Sequence, residues 1–433
     1  MLRPLLLTGL AFAAAGHLHG QNLYFPPIGQ GTWDTLSPAS LGWCPDRIDS
    51  LIDFVGAHNT KAFIILQDGK IALEHYYGTF TRDSLWYWAS AGKTLTAMLT
   101  GIAREEGYLD IHQPTGTWLG PGWTSCTPTQ EEEITVLHQL TMTTGLDDGV
   151  TDNHCTDPAC LQYLAAPGTR WAYHNAPYTL LDDVIASATG TAFSSYFNTR
   201  LRNRIGMDGL WLPLGYDNVY FSRARSMARF GLLALNRGIW AGDTVLHDTA
   251  YFTAMTTPSQ GLNESYGYLW WLNGQPSFML PTLQFVFPGP VMPDAPPDMI
   301  CGLGKNDQLL NVVPSRNMVV VRLGNPAYTN APVAVVFNNE IWQRIEQLPC
   351  TTAVAEIGTS GNWGPYGDPR TGEIGVVLPA GADRSDLELR DAMGRVLELR
   401  YHGDRIDVQD LPPGTYILGL RGIRADARRF VKQ

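Results

Sequence analysis

Ser90 and Lys93 stand three residues apart at the head of an apolar pattern, Leu95, Met98, Leu99 and Ile102. That spacing predicts a helix over Thr94 to Glu106 with one buried face. Residues three apart on a first turn share a side, so the lysine amine can reach the serine oxygen. A serine hydroxyl is a weak nucleophile until a neighbouring base removes its proton. The positive end of a helix and partial burial both lower a lysine pKa, which makes the neutral amine available as that base. Gly92-Lys93-Thr94 also looks like the end of a phosphate-binding loop. The glycine that such a loop needs five residues before Gly92 is Tyr87, and Trp86, Tyr87 and Trp88 cannot cradle a phosphate, so nucleotide binding is rejected.

A second element, Tyr173-His174-Asn175, follows Pro167-Gly168-Thr169-Arg170-Trp171. With it the chain resembles the serine β-lactamase-like superfamily, which includes class C β-lactamases, D-Ala-D-Ala peptidases and the family VIII esterases. S-x-x-K is the nucleophile signature of penicillin-recognising serine enzymes. The segment Ile134 to Asp148 resembles the family's I-T-x-x-x-L-L-T-x-T-S-G-L stretch, and Pro167 to Ile185 its P-G-x-x-x-x-Y-S-N-x-x-Y-x-L-L stretch. The runs YGYLWWLNG and NVVPSRNMVVVRLGN resemble late sheet strands. These motifs occur in order from about Ala62 to Asn325.

The resemblance implies that Ser90 is the acylated nucleophile and that Lys93 and Tyr173 exchange protons with it. A phenol beside an ammonium ionises more easily, which would let Tyr173 act as general base. Asn175 would orient Lys93 and touch substrate, and His174 would be a pocket-wall residue. The family's Lys-Thr-Gly falls on Met299-Ile300-Cys301, followed by Gly302, with no basic residue there. Lys305 is the nearby cation that could replace it. The backbone N–H groups of Ser90 and Gly302 are the candidate oxyanion donors. The missing Lys-Thr-Gly favours an esterase or amidase over an efficient β-lactamase. A D-Ala-D-Ala peptidase and a catalytically silent peptidoglycan- or peptide-binding relative are the alternatives. A G-x-S-x-G nucleophile elbow is absent.

These side chains need a large scaffold, and 433 residues provide one catalytic domain and a smaller module. Formal net charge is −11, with 41 acidic against 30 basic residues, which argues against nucleic acid or an anionic membrane as partner. Residues 1–20 read as an export signal: Arg3, an apolar Leu5 to Ala15, and small residues before Gln21. A buried N-terminal helix is the other reading. The run is too short to span a bilayer.

Six cysteines in an exported chain suggest disulfides. Cys155 and Cys160 form the best local pair, because Thr156 to Ala159 can turn the chain between them. The pairing of Cys44, Cys126, Cys301 and Cys350 stays open. Neither zinc spacing nor a calcium-loop order is present, and no metal or organic cofactor is implied. The acidic stretch Asp147, Asp148, Asp152 and Asp157 reads as a solvated loop at the cleft rim.

The expected architecture is α/β of the α+β kind: a β-lactamase/transpeptidase-like three-layer fold with an antiparallel sheet and a helical region. It occupies 21–349, with the Met299–Leu310 strand closing the site. Residues 350–372, rich in Gly, Thr and Pro, read as a linker. From 373 to 433 come short strand-type runs broken by Gly394, Gly403 and Pro412-Pro413-Gly414, which predict a small β-sandwich. Its ending, VQDLPPGTYILGLRG with a basic finish, resembles the C-terminal sorting domain of type IX secretion substrates. That resemblance implies export machinery as partner and a periplasmic, then surface or extracellular, location. An accessory carbohydrate-binding or structural β-domain is the alternative.

Overall fold

The structure is a computed structural model. It describes residues 23–29, 31–329, 334–350, 364–366, 369–378, 382–391, 395–420 and 423–432. The expected export signal and most of the expected linker lie outside those residues. The chain divides into two compact units, Met1–Pro349 and Cys350–Gln433.

The first unit is built on a six-stranded antiparallel sheet. Its strands are β1 (Thr60–Gln67), β2 (Lys70–Tyr76), β3 (Trp271–Leu272), β4 (Ile300–Gly304), β5 (Gln308–Val313) and β6 (Met318–Gly324), in the order β2-β1-β6-β5-β4-β3. β1 and β2 are joined by Asp68-Gly69, both at positive φ, the two-residue connection whose twist suits a hairpin. β5 and β6 are buried along their whole length, as strands covered on both faces must be.

The covering helices are α1 (Pro45–Ala57), α2 (Lys93–Glu105), α3 (Leu181–Thr189), α4 (Ala224–Leu235) and α5 (Val335–Ile345). Strand alternation sorts them into layers. α5 meets the face that carries Asn311 and Arg322: Asn338 exchanges amide hydrogen bonds with Asn311 at 2.7 and 2.9 Å, and Phe337 lies beneath the Arg322 guanidinium. Phe54 of α1 packs on Phe337. α4 meets the opposite face at Gly231, where a Cβ would stand 2.5 Å from Val319 Cγ1 and 2.8 Å from Leu310 Cδ1. Only glycine permits that approach of helix to sheet. α2 and α3 belong to the helical region on the α4 side, and their apolar faces join one continuous core.

The Met299–Leu310 segment is not one strand. β4 ends at Gly304, and the turn Lys305-Asn306-Asp307 reverses the chain into β5. Asn306 and Asp307 take positive φ, and the buried Gln308 and Arg322 side chains hold the turn by its carbonyls.

The second unit holds two four-stranded antiparallel sheets. Its strands are β7 (Gly364–Tyr366), β8 (Glu373–Val377), β9 (Leu387–Asp391), β10 (Val396–Leu397), β11 (Arg400–His402), β12 (Arg405–Asp407), β13 (Gly414–Leu420) and β14 (Ile423–Lys432). They are ordered β7-β8-β12-β11 and β10-β9-β13-β14. Ile374 and Ile406 from one sheet share a core with Leu387, Leu389, Leu418 and Phe430 from the other. β7 occupies part of the stretch read as linker, and the basic finish runs through the long strand β14. Among the described residues no helix is long and apolar enough to cross a membrane.

Candidate active site

Ala89–Gly92 form one 3₁₀ turn that runs straight into α2, so Ser90 sits immediately ahead of the helix and Lys93 is its first residue. Trp88, fully buried, ties the turn to the strand Asp217–Ser222: its N–H donates to Tyr220 O at 2.8 Å and its Nε1–H to Ser222 Oγ at 2.8 Å. Ala89 is held at φ +48°, a left-handed conformation that costs a non-glycine residue about 1–3 kcal/mol and marks strained functional turns.

β4 lies directly against this turn. A Cβ on Gly304 would stand 2.3 Å from Trp88 O, and one on Gly302 would stand 3.2 Å from Ala91 O and from Thr94 Cγ2. The glycines are what let strand and turn touch. Met299 O accepts from Asn273 N on the β3 side at 2.9 Å, so alternation turns Cys301 and Leu303 the same way. Gly302 instead faces β5, in register with Leu310. Its N–H belongs to the sheet ladder, which corrects the expectation of Gly302 as an oxyanion donor. Leu303 is the next residue turned outward past the last β3 partner, and it lines the cavity.

That cavity, about 550 Å³, is lined by Ser90, Tyr173, Asn175, Trp271, Leu303 and Lys305 among others. The Tyr173 hydroxyl and Ser90 face the same cavity, near enough for Ser90 to act on the phenol's ionisation. Its ring is stacked on Trp271 and meets Tyr266 edge-on. Lys93 is 3% exposed. Its Nζ donates to Asn175 Oδ1 at 2.9 Å and sits 3.7 Å above the Tyr178 ring, which attracts a cation. Desolvation brings the Lys93 pKa down to about 7, against the opposing pull of the Asp217 and Asp182 carboxylates. Burial pushes the Tyr173 phenol well above its ordinary value, the nearby Ser90 hydroxyl only moderating it. Desolvation penalises both charges and so works against the phenolate-beside-ammonium arrangement expected from the motif.

Asn175 opens the short helix Asn175–Thr179 and lines the cavity. Lys305 stands exposed on the rim, and among the described residues it makes no ion pair. His174, expected in the pocket wall, is 2% exposed and turned into the protein, with neither ring nitrogen hydrogen-bonded. Burial lowers its pKa to about 4. Asp148 does lie at the rim, paired with Arg170 at 2.6 Å. Cys155 and Cys160 form a disulfide; Cys44 and Cys350 are also disulfide-bonded, and Cys126 and Cys301 are free.

Sequence reasoning missed four contributors. Tyr178, one helical turn beyond Asn175, was within reach of a spacing argument. Asp182 of α3 is 9% exposed, accepts from Asn218 Nδ2 at 2.7 Å, and has its carboxyl pushed up to about 8 by burial. His154 and Asp217, which meet at 2.8 Å beside Asn175, come from segments 63 residues apart and leave no local signal.

Known proteins share this framework. The chain has a fold like that of a Bacillus anthracis protein assigned as a 6-aminohexanoate-dimer hydrolase, at TM-score 0.55 and 19% identity over 74% of this chain and 89% of that one. A Bacteroides dorei protein assigned as a β-lactamase matches at TM-score 0.55 and 16% identity, covering 73% and 99%. A penicillin-binding protein homologue from Caulobacter crescentus matches at TM-score 0.51 and 15% identity, covering 66% and 93%. No curated protein matches. The family model described as Beta-lactamase matches residues 49–339, which contain every side chain placed around the cavity, and the chain belongs to the Beta-lactamase family.

Proposed function

We propose that this protein is a serine hydrolase that forms an acyl-enzyme on Ser90 and releases it to water, with an ester or amide as substrate. The observation that carries the reading is the placement of Ser90 and Tyr173 on one cavity wall beside a buried Lys93, held by Asn175 at 2.9 Å and with its pKa lowered to about 7 by desolvation. Lys93 serves as the base, and Tyr173, beside Ser90, passes the proton between nucleophile, lysine and leaving group. The backbone N–H groups of Ser90 and Leu303 are the proposed donors to the tetrahedral oxyanion. Hydrolysis of the acyl-enzyme reverses the proton path, with water in place of the leaving group.

Lys305 favours a second reading. An unpaired rim ammonium would attract a substrate carboxylate, as a penicillin, cephalosporin or D-Ala-D-Ala peptide carries. It is exposed to water, where such a contact is weak, so simple esters or amides are the preferred substrates. A screen of p-nitrophenyl esters, a chromogenic cephalosporin and D-Ala-D-Ala peptides decides between the two, combined with fluorophosphonate labelling of intact protein. Ser90→Ala should lower kcat/KM by about a thousandfold or more and abolish the label. Retained turnover in that variant would sink the mechanism. A cephalosporin kcat/KM above every ester tested would establish Lys305 as the recognition cation. A folded protein that binds peptide but never labels would be the silent relative.

The same reading extends to location. Residues 1–20 are proposed as an export signal, and the strand-rich unit as a sorting domain for type IX secretion, with an accessory β-domain as the alternative.

A further inference from the structure

The amide of Asn175 could in principle face Lys93 with either end, and the residues behind it leave one choice. Asn153 Nδ2 donates to the backbone carbonyl of Asp148 at 3.1 Å, so the opposite end of that amide is oxygen. Asn153 Oδ1 accordingly accepts from Asn175 N at 3.0 Å and from Asn175 Nδ2 at 2.8 Å. The Asn175 oxygen is thereby turned to Lys93 Nζ, 2.9 Å away. His154 Nε2 lies 3.4 Å from the same Asn175 Nδ2. Facing a donor, this nitrogen has to present its lone pair, which puts the ring proton on Nδ1. There Asp217 Oδ1 accepts it at 2.8 Å. Every hydrogen in the chain from Asp217 to Lys93 has one consistent place.

We propose that His154 and Asp217 are positioning residues for Lys93: Asp217 fixes the His154 tautomer, and the unprotonated Nε2 holds the Asn175 amide with its oxygen on the lysine. The inference rests on the reading of Lys93 as the proton-handling group. An exposed His–Asp pair on a surface contributes little by itself. This one differs because the ring is wedged between a carboxylate and the residue that holds Lys93. His154 is not a rival base, since its Nε2 is already occupied by Asn175.

The decisive variant is Asp217→Asn, which keeps size and shape but replaces the carboxylate with an amide that can turn its N–H as well as its oxygen to His154. Where the N–H faces Nδ1, the ring carries its proton on Nε2 and confronts Asn175 Nδ2 with a second donor. The expected result is a fall in kcat of about tenfold or more with KM within twofold, as for an interaction felt only in the transition state. His154→Ala should lose as much, His154→Gln should recover most of it through its amide oxygen, and the double variant His154→Ala with Asp217→Asn should be no worse than His154→Ala alone. Nitrogen NMR of the labelled imidazoles should show His154 protonated on Nδ1 in the wild type and on Nε2 in Asp217→Asn, at unchanged melting temperature. Kcat within twofold in Asp217→Asn with the His154 proton moved to Nε2, losses that multiply, or an Nε2–H tautomer in the wild type would each overturn the proposal. If no ester or amide is turned over, it is the hydrolase reading that fails. The wild-type tautomer and the Lys93 titration, measured with and without Asp217→Asn, then decide the positioning role alone.

Discussion

Burial depresses the basicity of two neighbouring segments' side chains, Lys93 at the cavity and His174 behind it, with different consequences. Lys93 is brought to about 7 by desolvation, so the fraction of neutral amine rises with pH through that value. kcat/KM should therefore rise along an acid limb centred near pH 7 and lie well below its plateau at pH 5. A limb near 10 would place the base elsewhere. Lys93→Ala and Tyr173→Phe should each lose most of the activity and the double variant little more, because a shared proton-transfer unit fails as a unit. Independent, multiplying losses would separate the two roles. His174 tells a stability story instead. Its folded pKa, about 4, lies below the unfolded value of 6.5, so the unfolded chain binds the extra proton between those values. The stability it contributes is whole above pH 6.5 and is lost as pH falls towards 4, with a slope of up to about 1.4 kcal/mol per pH unit. Denaturant titrations at pH 7 and pH 5 should show the drop, and His174→Leu should flatten it. An unchanged slope in that variant would assign the acid sensitivity to other groups.

The contact between β4 and the nucleophile turn makes a graded prediction. Gly304→Ala must displace the Trp88 carbonyl from 2.3 Å, whereas Gly302→Ala asks Ala91 O and Thr94 to give by only tenths of an ångström. Gly304→Ala should cost about 1–3 kcal/mol and most of kcat, and Gly302→Ala clearly less. Equal effects would show that the turn is more pliant than its packing suggests. This element also shows where sequence reading reaches its limit. Ser90 and Lys93, or Tyr173 and Asn175, are neighbours along the chain, so helical spacing and motif order exposed them. The apolar runs of β1, β5 and β6 were equally visible. Which β4 residue turns its N–H to the cavity depends on pairing with β3, and pairing is a tertiary fact. Motif order points to the strand around Met299-Ile300-Cys301 but not to its facing, so it singles out Gly302 where Leu303 is turned outward. His174 failed for a related reason, since its position between two cavity residues says nothing of its rotation into the core.

At the scale of the whole chain, every residue placed around Ser90 lies before Cys350. A protein ending after Thr352, which retains Cys350, should fold and keep kcat/KM within about two- to threefold, a shift below 1 kcal/mol. In the native host the same truncation should leave the enzyme in the periplasm if the strand-rich unit is a sorting domain. A folded but inactive truncation would show that the C-terminal unit completes the site. Within the first unit, substrate choice is confined by what β4 cannot carry. A strand that presents only hydrogen atoms to the nucleophile turn has no room for a recognition side chain, so discrimination falls to the turn after it. Gln308 and Arg322 grip that turn by main-chain oxygens, contacts indifferent to the side chain at position 305. The backbone is thus conserved by its own scaffold while one rim position is left open to drift. In evolutionary terms Lys305 is a dial rather than a fixture: lineages selected on new substrates should accumulate exchanges there first, with Gly302 and Gly304 unchanged.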